Sequence, residues 1–189
     1  MVTHYAADVS RWEDWAQEYR FGVLLIFPPD PLSAQVNALR AKHDPRSQAA
    51  CDAHISLTVP LPRPVSEAHW RELESTVSAI EPFAIHYGPL MNLHPTVCLG
   101  IKPQAELDRL RMALETAAVF AGARAPKYPF LAHLTIAEFI STERSELLMQ
   151  ELEGVAPAGV FVCTDVAYAV PDVGFHFTER KRLRLALQQ

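Results

Sequence analysis

The sequence predicts an α+β fold built from two pseudo-equivalent halves, and three observations carry that expectation. Hydrophobic periodicity reads strand, helix, strand, helix, strand from about residue 20 to 93, and the same order returns from about 95 to 187. Each half carries one short His-x-(Ser/Thr) segment at the start of its second strand, although the halves share little residue identity. The last two strands lie close enough in sequence to form an antiparallel hairpin. Alternation of strands and helices by itself also fits a parallel sheet, so the sheet type stays open at this point.

The elements follow in order. Trp12, Trp15 and Tyr19 recur at spacings of three and four with acids between them, which predicts a short amphipathic helix packed at the periphery. Residues 21–27 form an apolar run stopped by Pro28 and Pro29, the pattern of a buried strand. A helix is expected over 31–41, with Leu32, Val36 and Leu39 on one face. The His43-Asp44-Pro45-Arg46 stretch reads as a loop and turn. Residues 53–60 alternate as a strand, and Pro60, Pro62 and Pro64 forbid regular structure after it. Ser66 is placed to cap a helix carrying Trp70, Leu73, Val77 and Ile80 at helical spacing. Residues 83–93 form the half's last strand, irregular at Gly88-Pro89. The second half repeats this with a strand over 96–101, a helix over 106–120, a Pro-containing loop over 122–129 and a strand over 132–139. A helix capped at Ser141 or Thr142 then runs to about Leu152, followed by one long strand over 160–170, a turn at 171–174, and a closing strand over 175–187.

Composition bounds the rest. At 189 residues the chain suits one domain over 1–189, with a first lobe at about 20–93, a second at about 95–187, and strands free to exchange between them. Such a chain hides roughly 70% of its unfolded surface and needs no disulfide or metal to fold. An apolar fraction of 49% excludes disorder for most of its length. No apolar run reaches the ~18 residues of a membrane span. The acidic N-terminal stretch with Asp8, Glu13, Asp14 and Glu18 does not read as a secretory signal. Cys51, Cys98 and Cys163 are odd in number and far apart, so a reducing cytoplasm is expected. A net charge of −5 argues against avid binding to long nucleic acid, though not against an RNA end or a small phosphorylated substrate.

The chemistry resides in His54-Ile55-Ser56-Leu57-Thr58 and His133-Leu134-Thr135-Ile136. Side chains alternate along a strand, so His54, Ser56 and Thr58 share one face while Ile55, Leu57 and Val59 enter the core. His133, Thr135 and Ala137 likewise oppose Leu134 and Ile136. Two such strands facing across a pseudo-two-fold axis place two imidazoles and two hydroxyls around one cavity. Imidazoles titrate near pH 6.5, so one can accept a proton while the other donates one. Hydroxyls can hold the non-bridging oxygens of a phosphodiester as charge develops.

These paired elements resemble the two-histidine (2H) phosphoesterase superfamily, which includes 2'-5' RNA ligase-like proteins and RNA 2',3'-cyclic phosphodiesterases. Tyr19 to Leu25 followed by Pro28-Pro29 is similar to that family's first strand and helix entry, and Lys42-His43-Asp44-Pro45 resembles a bacterial branch of it. The resemblance implies a bilobal α+β fold whose two antiparallel sheets form a central cleft. It implies His54 and His133 as general acid and base, in an order left open, and Ser56 and Thr135 as phosphate-binding residues. The implied reaction is metal-independent hydrolysis of a 2',3'-cyclic phosphate on an RNA end or small nucleotide, run backwards as 2'-5' ligation. Two other readings stand beside it: a non-catalytic module binding an RNA end or nucleotide, and a hydrolase of another metabolite such as an ADP-ribose cyclic phosphate.

Lys127 and Tyr128, just before the second motif, are candidates for substrate contact, as is Phe177, which could stack on a base. No metal and no cofactor are expected, because no Asp, Glu or Cys shares the site face of either motif strand, and two histidines fall short of the usual ligand count. His4, His43, His69, His86 and His94 are expected on the surface. The basic run from Arg180 to Arg184 fits either phosphate steering or the solvated face of a strand. No obligate protein partner and no membrane are inferred.

Overall fold

The computed structural model describes residues 4–126 and 128–186. Within these described residues eight strands form two four-stranded antiparallel sheets. The strands are β1 (Val23–Ile26), β2 (Ile55–Ser56), β3 (Phe83–Asn92), β4 (Val97–Lys102), β5 (His133–Ala137), β6 (Gly159–Cys163), β7 (Asp165–Pro171) and β8 (Phe177–Arg184). One sheet has the order β2-β1-β7-β8 and the other β5-β4-β3-β6. Every pairing is antiparallel. The halves are interleaved: β3, from the first, pairs with β4 and β6, whereas β7 and β8, from the second, complete the sheet of β1.

Among the described residues five α-helices connect the strands: α1 (Leu32–His43), α2 (Pro45–Ala50), α3 (Glu67–Ser78), α4 (Gln104–Glu115) and α5 (Thr142–Leu152). The apolar stripes of α3 and α4 are those the periodicity predicts, and α5 adds one of its own. Trp70, Leu73 and Val77 of α3, Leu107, Leu110 and Leu114 of α4, and Leu148 and Leu152 of α5 are buried in one core with β1, β4, β5 and β7. At roughly 1.5–3 kcal/mol per buried large side chain, this core carries the fold. Ser66 caps α3 in a capping box closed by His69, and Ser141 caps α5.

Several expectations need correction. The expected strand over 160–170 is two strands: the chain leaves one sheet after Cys163 and enters the other at Asp165, and hydrophobicity on both sides of Thr164 masks the crossing. The expected 43–46 turn instead starts a helix, because the Asp44 carboxylate accepts from Ser47 N–H and Pro45 sits at the first helical position. The Trp12 to Tyr19 helix is only a 3-10 segment at Ala16–Phe21. The strand at 53–60 is ladder-paired only at Ile55 and Ser56. His43 is not a surface residue: its side chain is 2% exposed, its Nδ1 takes a hydrogen bond from Arg144, and it lies near Glu151. Gly22, at φ +85, enters β1 where a Cβ would stand 2.5 Å from the Ala169 carbonyl oxygen, so its lack of a side chain permits the close approach of β1 to β7.

Candidate active site

A cavity of about 340 Å³ opens between the two sheets. His54, Ser56, His133 and Thr135 all line it, together with Phe177. The predicted alternation holds from His54 to Leu57 and from His133 to Ile136: Ile55, Leu57, Leu134 and Ile136 are fully buried, while His54, Ser56, His133 and Thr135 retain solvent access. It fails beyond, where Thr58 is buried with its Oγ1 accepting from Leu24 N–H, Val59 is only half-buried, and Ala137 is buried. β2 sits at the edge of its sheet through Leu25↔Ser56, and β5 at the edge of the other through Gly100↔His133 and Cys98↔Thr135. The two edge strands meet across the cleft.

The histidines are held in the same way. His54 Nδ1 lies 2.7 Å from the Asp52 carbonyl oxygen, and His133 Nδ1 lies 2.7 Å from the Leu131 carbonyl oxygen. In both cases the carbonyl belongs to the residue two positions earlier. A carbonyl only accepts, so Nδ1 carries the hydrogen in both rings and Nε2 is left for chemistry. The Phe27 ring packs edge-on near His54 at 6.3 Å between centroids. Packing around the His54 ring pushes its pKa down to about 4, chiefly by desolvation; the Arg40 charge and His133 act in the same direction, and the Asp52 carbonyl opposes them. His54 is therefore uncharged at neutral pH.

Behind the imidazoles lies a polar network that sequence reading missed. Arg40 of α1 is buried and donates to the carbonyls of Thr135 at 3.0 Å, Ser47 at 2.7 Å and Cys51 at 3.0 Å. Ser47 Oγ donates to Glu138 Oε1 at 2.9 Å, and Asp44 Oδ2 accepts from the Glu138 backbone N–H at 3.0 Å. Burial raises the Glu138 pKa against the pull of Ser47 and Arg40. Asp44 thus ties α2 to the segment that follows β5. The sequence signal was the Asp-Pro pair, which marks a helix cap as well as a turn. Cys51 also lines the cavity, and burial pushes its thiol up to about 12, which removes it as a nucleophile at neutral pH.

The outer wall is aromatic. Trp15, Tyr19, Phe139, Phe175 and Phe177 line the cavity and pack in a chain of mostly edge-to-face contacts with centroids 5.1–6.2 Å apart. Trp15, expected to pack at the periphery, instead lines the cavity, and so does Phe177, the residue singled out for stacking on a base. The N-terminal segment is held over the cleft by ion pairs of Glu13 with Arg46 and Glu18 with Arg124. Tyr128 is exposed and is not among the lining residues, and Lys127 lies outside the described residues. The basic run stands on β8, away from the cavity lining: Lys181 pairs with Glu74 and lies over the Trp70 ring, and Arg182 pairs with Glu179 and Asp165. Among the described residues, no three His, Cys, Asp or Glu side chains converge as metal ligands would.

Residues 28–174 match the model of the 2'-5' RNA ligase superfamily. The chain belongs to this superfamily of 2H phosphoesterases. Solved structures share its fold. Escherichia coli LigT complexed with 3'-AMP is 20% identical, with a TM-score of 0.60 over 87% of this chain and 97% of its own. TT0787 of Thermus thermophilus is 14% identical, with a TM-score of 0.59 over 88% and 98%. A structure described as a phosphoesterase is 19% identical, with a TM-score of 0.58 over 87% and 97%. No curated protein matches the sequence. Four of the five aromatic wall residues, Trp15, Tyr19, Phe175 and Phe177, lie outside the segment that matches the superfamily. No helix among the described residues is long and apolar enough to cross a membrane.

Proposed function

We propose that this 2H phosphoesterase hydrolyses a 2',3'-cyclic phosphate on a nucleotide or an RNA end, by metal-independent acid–base catalysis at His54 and His133. The observation that carries this reading is the convergence of two His-x-(Ser/Thr) pairs on one cavity, each imidazole anchored through Nδ1 to the carbonyl two residues before it. His54, kept neutral by its surroundings, is the base: its Nε2 takes a proton from water as the water oxygen bonds to phosphorus. His133 is the acid: its protonated Nε2 gives that hydrogen to the ribose oxygen as the phosphorus–oxygen bond breaks. Ser56 and Thr135 hydroxyls hold the non-bridging oxygens, whose charge grows in the transition state. Reversed, the same groups join two ends through a 2'-5' linkage.

Substrate size and character follow from the cavity. About 340 Å³ falls at the small end of ligand pockets, typically ~300–1,000 Å³, and suits one nucleotide unit better than a strand. The aromatic wall offers ring faces and edges to a base, with Phe177 as one platform. LigT structures complexed with 3'-AMP, ATP and NADP+ support nucleotide recognition on this fold. The test is turnover of 2',3'-cyclic mononucleotides, and of a short RNA with a cyclic phosphate end, followed by 31P NMR with EDTA present. Ring opening to a single phosphomonoester, lost in His54→Ala and His133→Ala, supports the reading. A bound but unhydrolysed nucleotide, or hydrolysis abolished by EDTA, would overturn it.

A further inference from the structure

Among the described residues, Arg40 is the only buried charged side chain. Burying a guanidinium is expensive unless its hydrogen bonds are met. Here three acceptors are backbone carbonyls from separate places: Thr135 in the second motif, Ser47 in α2, and Cys51 three residues before His54. Its Nε finds no partner among the described residues, so the burial is not fully compensated. An apolar residue could fill that space without this cost. The position instead holds a group that reaches both halves of the site at once.

We propose that Arg40 is a positioning residue, whose guanidinium fixes the two histidine motifs relative to each other and sets a permanent positive charge behind His54. This rests on the reading of His54 as the base. The planar fork suits the task, since it directs several donors at fixed angles where an ammonium offers one point charge. Through Thr135 O it restrains β5, which carries His133 and the Thr135 hydroxyl; through Cys51 O it restrains the approach to His54. The charges around His54 are few. Arg40 faces it from α1 and His133 from β5, Cys51 and Asp52 precede it, and Asp44, Arg46 and Glu138 line the same cavity. Arg46 is engaged by Glu13, and the Asp44 carboxylate by Ser47 and Glu138 backbone N–H groups. Asp52, which precedes His54, accepts from the Asn37 amide, so Arg40 is the fixed charge acting on His54 from the inner side of the site, with His133 facing it from β5.

The experiment compares Arg40→Lys and Arg40→Gln with the native protein, reading the His54 ring titration by NMR and the pH dependence of kcat/KM on a 2',3'-cyclic mononucleotide. In Arg40→Gln, where the charge is gone, the His54 titration and the acid limb of kcat/KM move up by about half a pH unit or more. In Arg40→Lys, where charge remains but the fork is lost, the limb stays within about 0.3 unit while kcat falls at least tenfold with KM changed less than threefold. A folded Arg40→Gln with native kcat and an unmoved His54 titration overturns the proposal. If neither variant folds, the native protein decides: slowly exchanging Arg40 Nη protons support the clamp, and freely exchanging ones overturn it. The ring titration needs no turnover, so it tests Arg40 even if cyclic phosphates prove not to be substrates.

Discussion

Lowering the pH separates this account from an ordinary histidine base. Desolvation, with the Arg40 charge, puts His54 near a pKa of about 4 against 6.5 for an unperturbed ring. At pH 5.5 a base of pKa ~4 is still about 97% neutral, whereas one of pKa ~6.5 is only about 9% neutral. For a 2',3'-cyclic mononucleotide, kcat/KM is therefore predicted to fall by no more than about twofold between pH 7 and 5.5. An unperturbed base would lose about tenfold over the same interval. The assay is initial rate at substrate well below KM, at constant ionic strength, with folding checked by circular dichroism at each pH. Because kcat/KM reports the free enzyme, substrate does not obscure the limb. A tenfold fall centred near pH 6.5 would refute the assignment of His54 as a desolvated base.

Three further expectations follow. Asp44→Ala removes the α2 cap and the acceptor of the Glu138 N–H, so it lowers stability by ~1–2 kcal/mol in urea unfolding and reduces kcat by displacing the segment after β5. Phe177→Ala thins the aromatic wall and raises KM for base-bearing cyclic nucleotides about five- to fiftyfold while leaving ribose cyclic phosphate unchanged, as Michaelis analysis of the two substrates would show. His54 also leaves a mark on stability. Its folded pKa lies below its unfolded value, so the unfolded chain binds the extra proton and native stability falls as pH drops from about 6.5 toward 4. The loss is of order 2–3 kcal/mol, read as the difference between native and His54→Gln melting curves, which cancels other groups.

The convergence of the four motif side chains on one cavity was legible from the sequence because strand alternation is local. His54, Ser56, His133 and Thr135 announced a shared face, and the apolar residues between them are buried. The helix stripes were legible for the same reason, and so was the Ser66 cap. What stayed hidden was set by tertiary contacts. Nothing near Thr164 signals that the chain changes sheets, because β6 and β7 are both hydrophobic strands and differ only in their partners. Arg40 reads as one polar residue on an amphipathic helix until α1 packs beneath both motifs. Trp15 and Phe175 carry the pattern of core residues, yet they form the wall of the cleft because the N-terminal segment and the β7–β8 turn meet there.

The central claim is that two imidazoles act as one acid–base unit on a single phosphodiester. Measuring kcat/KM for His54→Ala, His133→Ala and the double variant, on one cyclic mononucleotide in EDTA, tests it most directly. The account predicts that each single variant loses about 10²–10⁴-fold and that the double variant loses little more, since neither group works without the other. Losses that multiply in the double variant, or a single variant within tenfold of native, would contradict it.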